Sequence, residues 1–375
     1  MQEVTKSSQQ AIKEANIKLV FGLIHKLGPI SRADIKKITG LSATTVSSLV
    51  EELLSNGYIS EGGVKTSSTS GRKAVLLHVN PDGGYFVGID VQKGVIVADT
   101  FAMDFTQVYH TEIPTNSTEE ISFCILRAIS KASKERRILG ITIGLAGVVD
   151  TATNTIVSST VIDAKTADTV YKTIKEAMPE TKIILRNNSG LVAYAEKEFG
   201  NHGDVSNLIS IDIGDGVGAG IILGGEIYDG ANGMAGEFGH ITVDYNGEKC
   251  KCGSYGCLEL VASVPAILKM TAESSLDDLV NNLNRGNAIL MEIIDNVAKA
   301  LAFGINNIVN IVDPEFIVIS GSIKELGEYL LSPLKAHIHK IAFIKNKKIE
   351  FSTIDCNTVT LGGARLLFDK MFGVQ

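Results

Sequence analysis

Three of the five cysteines fall within eight residues, at Cys250, Cys252 and Cys257 of the run CKCGSYGC, and His240 stands ten residues before the first of them. Three thiolates and one imidazole complete the tetrahedral shell that zinc prefers and leave no position for water, so the spacing predicts a structural rather than a catalytic zinc site. Any fold open to the chain must then gather residues 240–257 about one point. The odd cysteine total, with Cys124 and Cys356 far from the cluster, argues against a disulfide framework.

At 375 residues the chain exceeds what one hydrophobic core organises, and its 45% hydrophobic content can fill two or three. No apolar run is long enough to span a bilayer, and the opening MQEVTKSSQQ lacks the apolar centre of a signal peptide. A cytoplasmic protein without membrane contact is expected. The net charge of −7 is unevenly spread: residues 1–80 hold ten Lys or Arg against six Asp or Glu, a balance of +4, which leaves −11 for the rest. Only the first segment suits a polyanion, although +4 over that length is also compatible with ordinary surface charge.

Within that segment Ile17, Val20, Phe21, Ile24 and Leu27 recur at helical spacing until Gly28-Pro29 stops the helix. Ser31, three residues before Asp34, predicts the start of a second helix with Ile35 and Ile38 facing inward. After the turn Thr39-Gly40-Leu41, Ser42 caps a third helix whose buried stripe is Val46, Leu49, Val50, Leu53 and Leu54, and Asn56-Gly57 closes it. Its outward face carries Thr44, Thr45, Ser47 and Ser48 near the N-terminus, where small hydroxyl side chains admit a DNA groove and bond to phosphates or base edges.

Two strands, around Tyr58-Ile59-Ser60 and Val75–Val79, flank a Gly/Ser/Thr-rich loop ending in Gly71-Arg72-Lys73. A wing of this kind places Arg72 and Lys73 against the DNA backbone or in a minor groove. The run GPISRADIKKITGLSATTVSSLVEELLSNGYI resembles the helix-turn-helix of winged repressors over its whole length. A helical bundle that binds protein is the alternative. So small a DNA reader needs a dimer on a two-fold operator.

From residue 81 onward the pattern changes. Phe86–Asp90 is an apolar strand ending in Asp, and Leu208–Gly214 repeats it 122 residues later, which suggests two related halves. Ile141–Gly147 and Phe316–Gly321 are further buried strands running into glycine turns, the latter after the helical stretch Ala288–Val312. Strands alternating with helices around an internal repeat predict a two-lobed α/β fold with a ligand cleft. The run Gly214–Gly220 leads into another strand, whereas a dinucleotide-binding loop opens a helix. Its glycines serve either the close approach of a phosphate or chain reversal alone.

The segments GLAGVVD (144–150), GANGMAGEFGH (230–240), CKCGSYGCLE (250–259) and DPEFIVISGS (313–322) together resemble the ROK family of repressors, open reading frames and sugar kinases. The resemblance is to its repressor branch, which carries a winged helix-turn-helix at this position. It implies a winged helix-turn-helix over residues 1–80, then an actin- or hexokinase-like ROK domain over 81–375. The lobes of that domain would be about 81–190 plus the C-terminal end, and 191–355. It also implies a pocket for a sugar or sugar phosphate built from Asn187, Asn188, Glu237, His240 and Glu259. Amides and carboxylates suit vicinal hydroxyls, and His240 can offer one ring nitrogen to zinc and the other to a hydroxyl.

The chain departs from the family's kinases at two places. Their general base is the second residue of an Asn-Asp pair, and here that residue is Asn188, an amide that cannot take a proton at neutral pH. Their phosphate turn is Gly-Gly-Thr-Lys-like, whereas Asp90 is followed here by Val91-Gln92-Lys93-Gly94-Val95. Arg186 replaces the acidic residue before the pair, Gly190 replaces a later Asn, and Asp215 stands where a threonine is common. The expectation is a sugar-responsive repressor, a homodimer or larger homo-oligomer on operator DNA, that uses no ATP and is not an enzyme. The alternatives are a bifunctional ATP-dependent sugar kinase and a regulator controlled by a protein partner.

Overall fold

The computed structural model describes residues 2–65, 74–115, 120–341 and 347–374. The chain forms two compact units, one of Met1–Gly144, Val161–Leu185 and Gly363–Gln375, the other of Leu145–Thr160 and Arg186–Gly362.

Local capping chemistry shapes the described residues at the start of the chain into a helix-turn-helix flanked by a small sheet. Helix α1 (Gln2–Leu27) leads through strand β1 (Ile30–Ser31) to α2 (Arg32–Thr39), α3 (Ala43–Ser55), β2 (Ile59–Lys65) and β3 (Ala74–Val79), with the strands in the order β1-β3-β2. Ser31 Oγ accepts the Asp34 N–H at 3.2 Å, and the Asp34 carboxylate accepts the Ser31 hydroxyl at 2.7 Å. At the end of α3, Gly57 takes a left-handed φ of +75°, its N–H bonds the Leu54 carbonyl, and the Tyr58 N–H bonds that of Leu53. These are the paired bonds that satisfy a helix's last carbonyls. Val46, Leu49, Val50 and Leu53 are buried as expected, with Leu54 half-buried. One expectation fails, since Ile38 is 54% exposed, and Leu27, at the end of its stripe, is 53% exposed. Leu27 is the last residue of α1 and Ile38 the penultimate residue of the two-turn α2, so packing runs out before either position.

Strands β4 (Tyr85–Gln92), β5 (Val95–Ala102) and β6 (Gln107–Pro114) form an antiparallel meander. Then come α4 (Ile121–Ala132), β7 (Ile138–Leu145), the ribbon β8 (Gly147–Asp150) with β9 (Thr155–Ser159), α5 (Ala164–Ala177) and β10 (Lys182–Asn187). Helix α6 (Asn188–Phe199) leads to a second meander, β11 (Leu208–Ile213), β12 (Val217–Leu223) and β13 (Glu226–Ile227). Helices α7 (Glu259–Ala262), α8 (Val264–Thr271), α9 (Leu276–Asn284) and α10 (Ala288–Val312) follow, then β14 (Phe316–Ser320), α11 (Glu328–Lys340), β15 (Lys348–Phe351) and α12 (Thr358–Phe372).

The two five-stranded sheets run β10-β7-β4-β5-β6 and β15-β14-β11-β12-β13. Each is a meander extended beyond its first strand by two later strands, which realises the repeat seen at Asp90 and Asp212. Strand β14 is buried along its whole length and pairs in parallel with β11 and β15, which is why its sequence, FIVIS, is almost continuously apolar. The second unit's core joins Ile209, Ile211, Ile317 and Ile319 of this sheet to Leu301 and Ile305 of α10.

Helix α12 belongs to both units along the chain. Thr142 Oγ1 of β7 donates to the Gly363 carbonyl at 2.8 Å, and Gly362 packs so closely on α6 that a Cβ there would lie 2.0 Å from the Leu191 carbonyl oxygen. Its far end meets α1. The Phe21 ring lies 4.2 Å from that of Phe372 and 5.7 Å from that of Phe368, and Val374 is 1% exposed. No helix among the described residues is long and apolar enough to cross a membrane.

Candidate functional site

The hydroxyl residues of α3 gather at its N-terminus. Ser42 Oγ accepts the Thr45 N–H at 3.1 Å and lies 2.8 Å from the hydroxyls of both Thr44 and Thr45. Ser42, Thr44 and Ser48 are exposed, and Thr45 and Ser47 are half-buried. Arg72 and Lys73 lie outside the described residues.

In the second unit, the segments that carry the expected sugar ligands are all fastened to four residues of β12, Val217–Gly220. The first turn of α6, which begins at Asn188, lies against Gly218 and Gly220: a Cβ on either would fall 2.4 Å from Ser189 Oγ or 1.9 Å from the Ser189 carbonyl oxygen. The loop carrying Glu237 and His240 is held by the Ala219 N–H on the Gly236 carbonyl at 2.9 Å and by Gly239 against the Val217 carbonyl. Glu259 Oε2 accepts the Val217 N–H at 3.3 Å, and a Cβ on Gly216 would come within 3.0 Å of it. Positions 214, 216, 218 and 220 are not among the left-handed glycines. What Gly216, Gly218 and Gly220 provide is close approach, to Glu259 and to α6.

The Asn187 amide is partly committed to structure. Its oxygen accepts the Ser189 N–H at 2.8 Å, capping α6, and its nitrogen donates to the Gly147 carbonyl at 2.7 Å. One N–H and one lone pair remain for a hydroxyl. Asn188 Oδ1 also accepts the Ser189 N–H, at 2.9 Å. Arg186, 9% exposed, forms an ion pair with Asp229 at the start of the loop that leads to Glu237.

The ligand atoms of His240, Cys250, Cys252 and Cys257 all lie within 4.8 Å of one another. Cys252 Sγ is 3.6 Å from Cys257 Sγ, and Cys250 Sγ is 3.7 Å from His240 Nδ1. The edge of a tetrahedron with metal–sulfur bonds near 2.3 Å is about 3.8 Å, so these two separations match what a small tetrahedral cation needs and no pair of ligand atoms is farther apart than 4.8 Å. Gly253, at φ +95°, turns the chain between the thiols; Gly256, at φ +62°, lies so near Asp244 that a Cβ would fall 1.7 Å from its carbonyl oxygen. Burial pushes the Cys257 thiol up to about 12, while a hydrogen bond with the Ser254 backbone holds Cys252 below the usual thiol range. The other ring nitrogen of His240, Nε2, faces Glu237 Oε2 at 3.9 Å.

Sequence reasoning missed the Arg186–Asp229 pair and a second one, Lys251 Nζ to Glu259 Oε1 at 3.0 Å. Lys251 lies between two of the cysteines, but nothing in that spacing announces its partner. In the first unit, β4 and β5 reverse at Lys93-Gly94, and Gln92 Nε2 donates to the buried Asp90 carboxylate at 2.5 Å.

A family model described as the ROK family matches residues 86–369, and the chain belongs to that family. It is similar to the xylose repressor of Caldicellulosiruptor bescii, 31% identical over 389 residues that cover 96% of this chain and 97% of the relative. It also resembles a crystallised ROK family transcriptional regulator, a homologue of the Escherichia coli MLC protein, at a TM-score of 0.84 and 28% identity over 97% of this chain and 98% of the other. A ROK family glucokinase from Streptomyces griseus, crystallised with glucose and AMPPNP, shares the fold over 76% of this chain and 99% of its own, at a TM-score of 0.66 and 23% identity.

Proposed function

We propose that this chain is a cytoplasmic, sugar-responsive transcriptional repressor. One observation carries the reading: a capped, hydroxyl-faced helix of a helix-turn-helix is joined in one chain to a ROK domain, and the resemblance to the family's kinases aligns Asn188 with their general base. Residues 1–80 read operator DNA, with Ser42, Thr44, Thr45, Ser47 and Ser48 on the groove or its phosphates and Arg72 and Lys73 on the wing. The working form is a homodimer on a two-fold operator.

The ROK domain over 81–375 takes a sugar through Asn187, Asn188, Glu237, His240 and Glu259. Zinc suits the quartet of His240, Cys250, Cys252 and Cys257, where it would tie the loop to the ring that also faces the sugar. Asn188 can hold a hydroxyl but cannot remove its proton, and Gln92 covers the carboxylate beside the former phosphate turn. The chain therefore binds sugar without phosphorylating it. The sugar shifts operator affinity to the extent that it binds the DNA-competent and DNA-incompetent states unequally.

The experiment is operator binding by the purified protein across a panel of monosaccharides, disaccharides and sugar phosphates, with and without ATP. D-xylose comes first, since a similar protein is a xylose repressor. Release by one sugar without ATP is the expected result. ATP-dependent turnover of a sugar would establish a kinase. Tight operator binding indifferent to every sugar would establish control by a partner protein.

A further inference from the structure

We propose that Lys251 is a competitor built into the sugar site: its ammonium holds the Glu259 carboxylate in the sugar-free protein, and a sugar hydroxyl gains that carboxylate by displacing it. The inference rests on the sugar reading above and adds a residue that the reading does not contain.

Glu259 is 14% exposed, and its two oxygens have different partners. Oε2 accepts the Val217 N–H, with Gly216 close behind it, so that oxygen is turned toward the β11–β12 turn. Oε1 is the one Lys251 reaches, at 3.0 Å. The Lys251 side chain is 65% exposed, so its ammonium can leave for water at little cost.

The lysine is held at its base. It lies between Cys250 and Cys252, and the Cys250 N–H bonds the Ser254 carbonyl at 2.8 Å, so the ammonium starts from a fixed point in the metal-binding loop. A carboxylate neutralised by an ammonium is a poorer acceptor for a neutral hydroxyl than a free one. Sugar binding at Glu259 therefore opposes the ion pair, and the freed lysine makes the metal loop sense occupancy without any change at the metal.

The test is titration calorimetry of the full-length protein with D-xylose, D-glucose and N-acetyl-D-glucosamine at low and high salt. Wild type is compared with Lys251→Met, Lys251→Arg, Glu259→Gln and the Lys251→Met/Glu259→Gln double variant. Zinc content and thermal unfolding verify that each is folded. In wild type, salt screens the pair and should strengthen binding of the neutral sugar. Lys251→Met should bind about two- to fivefold more tightly and lose that salt dependence, as expected on removing one weak ion pair. Lys251→Arg should keep it, and in the Glu259→Gln background Lys251→Met should change nothing.

Unchanged or weaker binding by folded Lys251→Met, with the salt dependence intact, overturns the competitor role while leaving the sugar site standing. Failure of wild type to bind any of the three sugars overturns the sugar reading for them and this inference with it.

Discussion

The backbone of Gly220 lies so close to that of Ser189 that a Cβ on the glycine would come within 1.9 Å of the serine's carbonyl oxygen. Main chain meets main chain there, and the first turn of α6 carries Asn188. Gly220→Ala must push α6 off the strand, at about 1–3 kcal/mol of stability, and weaken sugar binding. Gly214→Ala, where a Cβ would meet nothing nearer than 3.8 Å, should leave both nearly unchanged. Denaturant unfolding and sugar titration of the two variants check the contrast.

Zinc loading should release protons. Burial holds the metal-free Cys257 thiol protonated up to about 12, and a metal ligand must be thiolate. Affinity should therefore rise with pH, by about tenfold per unit for each proton displaced. Competition with a chelator from pH 6 to pH 8 measures the slope, and a flat profile would contradict the ligand assignment. Cys252→Ser should lose the metal and blunt the sugar response while the winged helix-turn-helix stays folded.

On the DNA side, Ser42→Ala removes the cap on the Thr45 N–H and should cost about 1 kcal/mol of stability as well as operator affinity. Ser48→Ala should weaken operator binding with no loss of stability. Arg72→Ala should weaken it and flatten its dependence on salt, which fluorescence anisotropy across a salt series would show.

Arg186→Ala strands Asp229, half-buried, without its cation. Losing one partner of a largely buried pair should cost about 3 kcal/mol and loosen the loop leading to Glu237. Thermal unfolding gives the first quantity and sugar affinity the second. Asp229→Asn should be milder, since a neutral amide can still accept one guanidinium hydrogen bond.

What could be read from the sequence was mostly local or repeated. Ser31, Ser42 and Gly57 announce helix ends because each bonds the backbone within a few residues, and the strand endings at Asp90 and Asp212 announce two similar sheets. The quartet of His240 and three cysteines comes together because a short loop leaves it little choice. Contacts that wait on tertiary structure were silent. Gly218 and Gly220 read as a phosphate loop or a reversal because α6, which needs their missing side chains, begins some thirty residues earlier. Arg186 and Asp229 are 43 residues apart, and no spacing rule joins them. Leu27 and Ile38 fit a helical stripe, yet their neighbours end before reaching them.

The seat of α1 on α12 sets an order of assembly. Phe21 is made long before Phe368, Phe372 and Val374, which close over that end of α1. The capped helices α2 and α3 can form as they emerge, while α1 finds its full set of neighbours only after α12 has been made. A chain cut short before α12 thus keeps α2 and α3 but leaves Phe21 of α1 without the rings that cover it.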